Sequence, residues 1–232
     1  MSFQFSDDQV FSWMENSLNK YKDLFSQNNI NPQETFMDKV DPFFTMMKMI
    51  ALGLNKDQLI SPIPINKSDK SYLNFHGKQW ENLILIKDEH WEEPPRLLDV
   101  AKKDKSLVVE IKNKHNTVKK SDLKDIYDNM KICLEEDGYE LSIYTYMVPL
   151  NADRVNKLFT PSDNQSGTRR PSNQKIIEMD GATFFNQYIF EHENGFSDFI
   201  DQMLEVSFKF SDIFKSDKNS DFLCELRDLY NL

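Results

Sequence analysis

The sequence contains few cysteines and no long apolar run. Its two cysteines, Cys133 and Cys224, lie far apart and match no metal-binding spacing. Reduced, buried thiols are therefore expected, together with a cytoplasmic location. No apolar stretch reaches the length that a membrane-spanning helix needs. The N-terminal residues lack a basic region followed by an apolar segment, so we expect no signal peptide.

The motifs of nucleotide-dependent enzymes are missing as well. The chain has no Walker-type phosphate loop, no paired-cysteine zinc pattern and no helicase-like segment. We therefore expect no nucleotide cofactor and no activity that ATP hydrolysis drives.

Charge is distributed unevenly along the 232 residues. The net charge is −10, which by itself argues against a nucleic-acid partner. However, residues 102–131 contain nine lysines and only five acidic residues. A locally basic surface on an acidic protein is compatible with a DNA-binding cleft, and it predicts specific binding that weakens as salt is added.

The most informative stretch is a predicted β-hairpin in the middle of the chain. Leu97–Val100 reads as a short strand, Ala101–Lys105 as a polar turn, and Ser106–Lys112 as a returning strand rich in Leu, Val and Ile. The hairpin is the element on which the functional argument depends, because charged residues interrupt its apolar strands.

Three charged residues lie on these two strands. Asp99 belongs to the first strand, and Glu110 and Lys112 lie two apart on the second, so that both point to one face. Burying such charged groups is unfavourable unless they are paired with an opposite charge or have a role in binding or catalysis. Two carboxylates from neighbouring strands suit Mg²⁺, and a lysine beside them can hold a water or stabilise developing negative charge. This chemistry hydrolyses a phosphodiester; an exposed surface ion pair is the simpler alternative.

The spacing of Asp99, ten residues, and Glu110-Ile111-Lys112 resembles the PD-(D/E)XK nuclease motif. One departure is Leu98, where the motif has a proline. The longer run from Glu110 to Thr117 resembles the signature of type II restriction endonucleases that cut GGNCC sites.

A later region is similar to the same group of restriction endonucleases. It contains Arg169-Arg170-Pro171, the segment at residues 175–181, and Phe184-Phe185. The resemblance spans about residues 72–190.

The resemblance implies an endonuclease of a prokaryotic cell that uses Mg²⁺, or Mn²⁺ in its place, on double-stranded DNA. It implies catalysis by Asp99, Glu110 and Lys112, and metal binding by Asp99, Glu110 and the backbone carbonyl of Ile111. Glu81, upstream of the hairpin, is a weaker candidate for an additional acid. A palindromic site is best matched by a two-fold dimer, so we expect a homodimer.

Contacts with DNA are expected on two segments. The candidate residues carry hydrogen-bond donors and acceptors close to the motif or in the later region; they are Asn113, Lys114, His115, Asn116, Thr117, Arg169 and Arg170. Capping and turn roles for residues 115–117, and a solvated arginine pair, are the alternatives.

The predicted fold is α/β (α+β), a PD-(D/E)XK nuclease core with a mixed central sheet flanked by helices. Residues 1–60 are predicted as a helical region for packing or dimerisation, and residues 61–232 as the nuclease core with C-terminal helices, within one compact domain overall. Predicted elements are helices at 6–27, 119–136, 197–214 and 219–231, strands at 139–148 and 176–179, and a short helix at 151–159.

Two other functions remain open from the sequence. One is a PD-(D/E)XK nuclease of the repair or junction type, and the other is a non-cleaving DNA-binding protein that keeps the nuclease fold. The intact set of Asp99, Glu110 and Lys112 favours an enzyme, because a protein that only binds DNA has no chemical need for all three.

Overall fold

The fold is taken from a computed structural model of the chain. It describes residues 5–26, 42–54, 67–94, 96–115, 117–119, 121–149, 154–163 and 167–214. Within these ranges the chain forms six α-helices and a six-stranded mixed sheet. The prediction of an α/β nuclease core flanked by helices is confirmed. The predicted helix at 219–231 lies outside the described residues.

The helices are distributed along most of the described chain. They are α1 (Asp7–Ser26), α2 (Pro42–Leu52), α3 (Lys67–Lys87), α4 (Leu123–Glu135), α5 (Gly181–Phe184), which continues into a π-helical turn (Phe185–Ile189), and α6 (Gly195–Phe214).

The strands lie between residues 91 and 180. They are β1 (Trp91–Glu92), β2 (Val100–Lys102), β3 (Leu107–Lys114), β4 (Leu141–Val148), β5 (Asn156–Leu158), β6 (Ser162–Asp163), β7 (Thr168–Arg169) and β8 (Ile176–Asp180).

The chain divides into two compact units. One comprises residues Met1–Gln79 and His192–Leu232, and the other comprises Trp80–Glu191. The boundary that the sequence predicts between residues 60 and 61 lies outside the described residues, so that division stays a prediction.

The first unit is helical, and α1 begins at a capping box. The backbone N–H of Ser6 donates to Gln9 Oε1 at 2.9 Å, and the backbone N–H of Gln9 donates to Ser6 Oγ at 3.2 Å. This reciprocal pair satisfies two amides that the first turn of a helix leaves free. The helix predicted at residues 6–27 is present as α1 (Asp7–Ser26).

Aromatic side chains form the core of this unit. The rings of Trp13 and Phe43 stack with centroids 4.6 Å apart, and Phe199 lies 6.3 Å from Trp13 and 5.3 Å from Phe5. The apolar face of α2 is buried, including Met46, Met47, Met49 and Ile50. Burial of large apolar and aromatic groups is the main stabilising contribution here.

The central sheet belongs to the second unit and has the order β1-β2-β3-β4-β8-β5. The β2–β3 pair is antiparallel, whereas β3, β4 and β8 run parallel to one another. Parallel neighbours need crossover connections, and α4 supplies the one between β3 and β4. Its side chains Tyr127, Met130 and Cys133 are buried in a cluster that also contains Val108 and Tyr144.

The structure corrects two predicted elements. The first hairpin strand is β2, Val100–Lys102, rather than residues 97–100, because Val100 and Ala101 pair with Val109 and Val108. Residues 97–99 form a bend in which Leu97 has a φ of 33°. Residues 156–158 form strand β5 on the edge of the sheet rather than part of a short helix, because they pair with β8. Local periodicity does not reveal pairing with a distant strand.

The junction between β8 and α5 requires a glycine. Asp180 caps α5 by accepting a hydrogen bond from the backbone N–H of Thr183 at 2.9 Å. A Cβ atom on Gly181 would lie 2.7 Å from the backbone Cα of Met147, closer than atoms can approach. The sheet and the helix therefore pack in contact at this residue.

Replacement of Gly181 by alanine is expected to destabilise the protein by about 1–3 kcal/mol, because the added methyl group meets backbone rather than a flexible side chain. Urea or thermal unfolding of Gly181→Ala against wild type measures this. Ser172→Ala, in an exposed loop, serves as the control. An unchanged unfolding midpoint for Gly181→Ala would show that α5 can shift away from the sheet without a measurable loss of stability.

Candidate active site

Backbone pairing places Asp99 opposite Glu110. The backbone N–H of Asp99 donates to the carbonyl of Val109 at 2.9 Å, immediately before β2 begins. The carboxylate of Asp99 then accepts a hydrogen bond from the backbone N–H of Ile111 at 2.7 Å. This second bond fixes the direction of the carboxylate, which points along the edge of β3 toward Lys112.

Glu110 and Lys112 come from the middle of β3 and point to the same face as Asp99. Glu110 is only 7% exposed. The ammonium group of Lys112 contacts Glu110 Oε1 directly and lies 3.5 Å from Asp99 Oδ2. The structure therefore brings together the three residues predicted to be catalytic.

The electrostatics of this cluster favour a bound cation. Burial, followed by the neighbouring charge of Asp99, raises the pKa of Glu110 to about 7, and these effects outweigh the opposing influence of Lys112. Burial alone would lower the pKa of Lys112, but Glu110 and Asp99 outweigh it, so that the pKa is raised and the ammonium is held charged. One lysine does not fully compensate two partly buried carboxylates.

Glu81 also contributes to this electrostatic environment. It lies on α3, is 8% exposed, and its charge is a minor cause of the raised pKa of Glu110. The additional acid suggested by the sequence is thus close enough to influence the cluster, although the spacing of residues alone gave only a weak signal for it.

Three of the DNA-binding candidates form hydrogen bonds that stabilise the backbone where β3 ends. The backbone N–H of His115 donates to the carbonyl of Val148 at 3.1 Å, which ties this end to β4. Thr117 Oγ1 donates to the carbonyl of Lys114 at 2.9 Å and so closes a turn. Thr117 is exposed, while Lys114 and His115 are half-buried.

Of the other two candidates on this segment, the structure describes Asn113 but not Asn116. Asn113 is half-buried on β3. Asn116 lies outside the described residues, so its predicted contact with DNA stays a prediction.

The two adjacent arginines have different surroundings. Arg170 forms ion pairs with Asp128 at 2.6 Å and with Asp163 at 3.1 Å, so that it connects α4 to β6. Arg169 lies on β7 and its side chain is exposed, with one long contact of 3.5 Å to the carbonyl of Thr160. Of the pair, Arg169 is therefore the one whose guanidinium is presented at the surface.

Sequence reasoning missed a row of residues beside the cluster of Asp99, Glu110 and Lys112. Strand register aligns Glu110 with Tyr144 and Glu178, and Lys112 with Tyr146. The tyrosines appeared in the sequence only as part of an aromatic strand. Their position next to the charged residues follows from parallel pairing of β3, β4 and β8, which no local pattern encodes.

A metal site can be assembled from the cluster, although not from carboxylates alone. Among the described residues there is no group of three or more His, Cys, Asp and Glu side chains with metal-binding geometry. Two carboxylates with a backbone carbonyl nevertheless match the oxygen ligands that Mg²⁺ takes in proteins, since Mg²⁺ keeps several waters.

Comparison with known proteins identifies the family of the chain. The family model of the Eco47II restriction endonuclease matches residues 2–209. The chain belongs to the Eco47II restriction endonuclease family. It is also similar to the type II restriction enzyme Eco47II of Escherichia coli, with 27% identity over 187 residues, covering 78% of this chain and 76% of that enzyme. No solved structure matches.

Membership of the Eco47II restriction endonuclease family establishes the activity. The protein is a type II site-specific deoxyribonuclease, a hydrolase whose substrate is DNA, and the prediction of this function is confirmed. Restriction endonucleases generally use divalent metal ions. Among the described helices of this family member, none is both long and apolar enough to cross a membrane.

Proposed function

We propose that Asp99, Glu110 and Lys112 form the active centre at which this restriction endonuclease hydrolyses phosphodiester bonds of double-stranded DNA with Mg²⁺. The observation that carries the proposal is the convergence of two carboxylates and one ammonium group within contact distance at the junction of β2 and β3. The family match supports this chemistry but does not assign residues to it.

The residues present fit a hard divalent cation. Asp99 and Glu110 would hold it through their carboxylates, together with the carbonyl oxygen of Ile111. The N–H of Ile111 donates to Asp99, and the N–H and C=O of one strand residue point to the same edge, which supports the assignment of this carbonyl. When bound, such a cation neutralises charge on phosphate oxygens and makes water a stronger nucleophile. Mn²⁺ is expected to substitute, since it accepts the same oxygen ligands.

Lys112 has a role that depends on its fixed position. Its pKa is raised by Glu110 and Asp99 against the opposing effect of burial, so the ammonium remains protonated at neutral pH. A protonated amine at this point donates hydrogen bonds to a water or to a phosphate oxygen and stabilises negative charge that develops during hydrolysis. Asp99 orients the lysine and is itself oriented by Ile111.

The DNA is proposed to contact the end of β3, the residues that follow it, and the exposed Arg169. Lys114, His115 and Thr117 follow the active cluster directly and supply a cation and hydrogen-bonding groups, and Asn113 and Asn116 extend this set. We propose a GGNCC-type recognition site, a homodimer that matches its two-fold symmetry, and action in the cytoplasm of a prokaryotic cell. Arg170 is paired with two aspartates, so it stabilises the DNA-binding segment rather than contacting bases of the DNA.

Digestion of unmethylated plasmid and phage DNA with Mg²⁺ tests the proposal. Discrete fragments from the wild-type protein, with ends that map to one sequence, are expected. Size-exclusion chromatography with light scattering tests the dimer independently. Intact DNA that is only shifted in a gel would instead favour a protein that binds without cleaving.

The cleavage rate is expected to fall as the pH drops below about 7 when Mg²⁺ is limiting. The pKa of Glu110 is raised to about 7 by burial and by Asp99, so at lower pH a proton competes with the cation for this carboxylate. Saturating Mg²⁺ should move the fall to lower pH. Initial rates measured on both sides of neutrality, at two Mg²⁺ concentrations, check this; a midpoint that does not depend on Mg²⁺ would contradict it.

A further inference from the structure

A cavity of about 590 Å³ lies next to the active cluster and has no role in the chemistry described so far. Tyr144 and Tyr146 line it, and they are the register partners of Glu110 and Lys112 on the neighbouring strand. Neighbouring strands lie about 4.8 Å apart. The cavity therefore begins one strand away from the residues that would act on the scissile phosphate.

Three aromatic side chains form part of the cavity wall, beside aliphatic and polar ones. The rings of Tyr144 and Phe159 stack with centroids 4.7 Å apart, and Tyr146 meets Tyr144 edge-on at 5.9 Å. The volume lies in the range of small-molecule sites, so it is far too small for a duplex but large enough for one nucleotide. Aromatic side chains are the surfaces on which proteins stack single bases.

Polar groups in the cavity are arranged for a ligand that donates hydrogen bonds. Glu178 accepts a hydrogen bond from the Tyr146 hydroxyl at 3.0 Å, and its second oxygen lies 3.5 Å from the ammonium of Lys157. Lys157 is largely exposed, so within the described residues this second oxygen has one loose contact. A carboxylate accepts hydrogen bonds from the amino groups of bases.

Two further groups in the cavity wall lack hydrogen-bond partners within the described part of the chain. The hydroxyl of Tyr144, a residue that is 2% exposed, and Nδ1 of His115 are both buried without a partner. An unsatisfied buried polar group is destabilising. In the free protein these two groups therefore lack hydrogen bonds within the described residues. A ligand with polar edges could supply them after a small rearrangement of the cavity.

We propose that this cavity receives a nucleobase extruded from the DNA duplex next to the cleavage site. The inference rests on the proposed nuclease function of Asp99, Glu110 and Lys112. The base would occupy the cavity beside Tyr146 and the Tyr144–Phe159 stack, with its amino-bearing edge toward Glu178. The phosphates on either side of it would remain at the rim, where Lys157 is exposed. A phosphate itself would be repelled by Glu178 and is not the expected occupant.

Extrusion predicts a specific dependence on base pairing. Moving a base out of the stack requires that its pair be broken, which is easier when the base is mismatched. A mismatch at the extruded position should therefore tighten binding by about tenfold or more. A mismatch outside the recognition site should leave the affinity unchanged.

Fluorescence of 2-aminopurine tests the proposal directly. The fluorophore is placed at each position in turn of a duplex that carries the mapped cleavage site, and Ca²⁺ replaces Mg²⁺ to prevent cutting. A several-fold rise at one position on addition of the wild-type protein is expected. If no position responds although the duplex is bound and is cut once Mg²⁺ is added, extrusion is overturned while the nuclease function stands. A duplex that is neither bound nor cut overturns the nuclease function, and this proposal with it.

Two conservative variants locate the base. Glu178→Gln and Tyr144→Phe keep the shape of the cavity, and each should reduce the fluorescence rise at the responding position by about half or more. Lys20→Ala, on the exposed side of α1, is the control and should leave the rise unchanged. An unchanged rise in both cavity variants would mean that the unstacked base lies elsewhere, and the cavity would lose its assigned ligand.

Discussion

Replacement of Asp99 by asparagine is expected to reduce the cleavage rate by about a thousandfold or more. The variant keeps an oxygen that can accept the hydrogen bond from Ile111, so the bend before β2 should survive. It removes one of the two charges proposed to hold the cation. A bound cation stabilises the transition state by several kcal/mol, and about 4 kcal/mol corresponds to roughly a thousandfold in rate.

The matched control for this experiment lies in the same hairpin. Asp104 is exposed in the turn between β2 and β3, where it accepts hydrogen bonds from Ser106. Asp104→Asn removes the same charge from the same hairpin, but away from the cluster, and should cleave DNA at the wild-type rate. Cleavage by Asp99→Asn within about tenfold of wild type would remove Asp99 from the proposed active centre.

Metal binding by the cluster can be followed without any activity assay. In the absence of a cation, the raised pKa of Glu110 adds stability at low pH that is lost as the pH rises through about 7. Above this pH, Mg²⁺ should raise the Tm of the wild-type protein, because a ligand that binds only the folded state stabilises it. The increase should be absent in Asp99→Asn and retained in Asp104→Asn.

The clustering of Asp99, Glu110 and Lys112 could be predicted from the sequence because its information is local. Asp99, Glu110 and Lys112 lie on one hairpin, and alternation along a strand decides which side chains share a face. The exact start of β2 could not be predicted, since Leu97 and Leu98 are apolar and resemble the beginning of a strand. Their bend is fixed instead by pairing across the hairpin, through the bond from Asp99 to Val109.

The cavity beside the cluster could not be predicted, because it depends on the order of distant strands. Tyr144 and Glu178 lie far apart in the sequence and become neighbours because β4 pairs with β8. They lie beside Glu110 because β4 also pairs with β3. The sequence likewise presents Arg169 and Arg170 as an equivalent pair. Only the positions of Asp128 and Asp163, one on a helix and one on a strand, distinguish the two arginines.

Replacing Arg169 by alanine is expected to weaken specific DNA binding and cleavage by about 5- to 150-fold, with little change in stability. The side chain is exposed on β7, and a two-stranded ribbon such as β6–β7 can enter the major groove. An arginine that contacts guanine there contributes about 1–3 kcal/mol of discrimination. Cleavage of the mapped site and of sites altered at one base pair measures the effect. A uniform loss on all sequences, with a smaller salt dependence, would indicate a phosphate contact instead.

Arg170→Ala is the matched comparison, because it removes the same side chain from the next residue. Its ion pairs join α4 to β6, so the expected result is a lower Tm, and any loss of cleavage should follow from displacement of the β6–β7 ribbon. Arg170→Lys should recover part of the Tm, since lysine keeps the charge but not the two-pronged geometry. Arg169→Lys should recover binding but little base discrimination. If instead Arg170→Ala kept the wild-type Tm and lost only base discrimination, the assignment of the two arginines would have to be reversed.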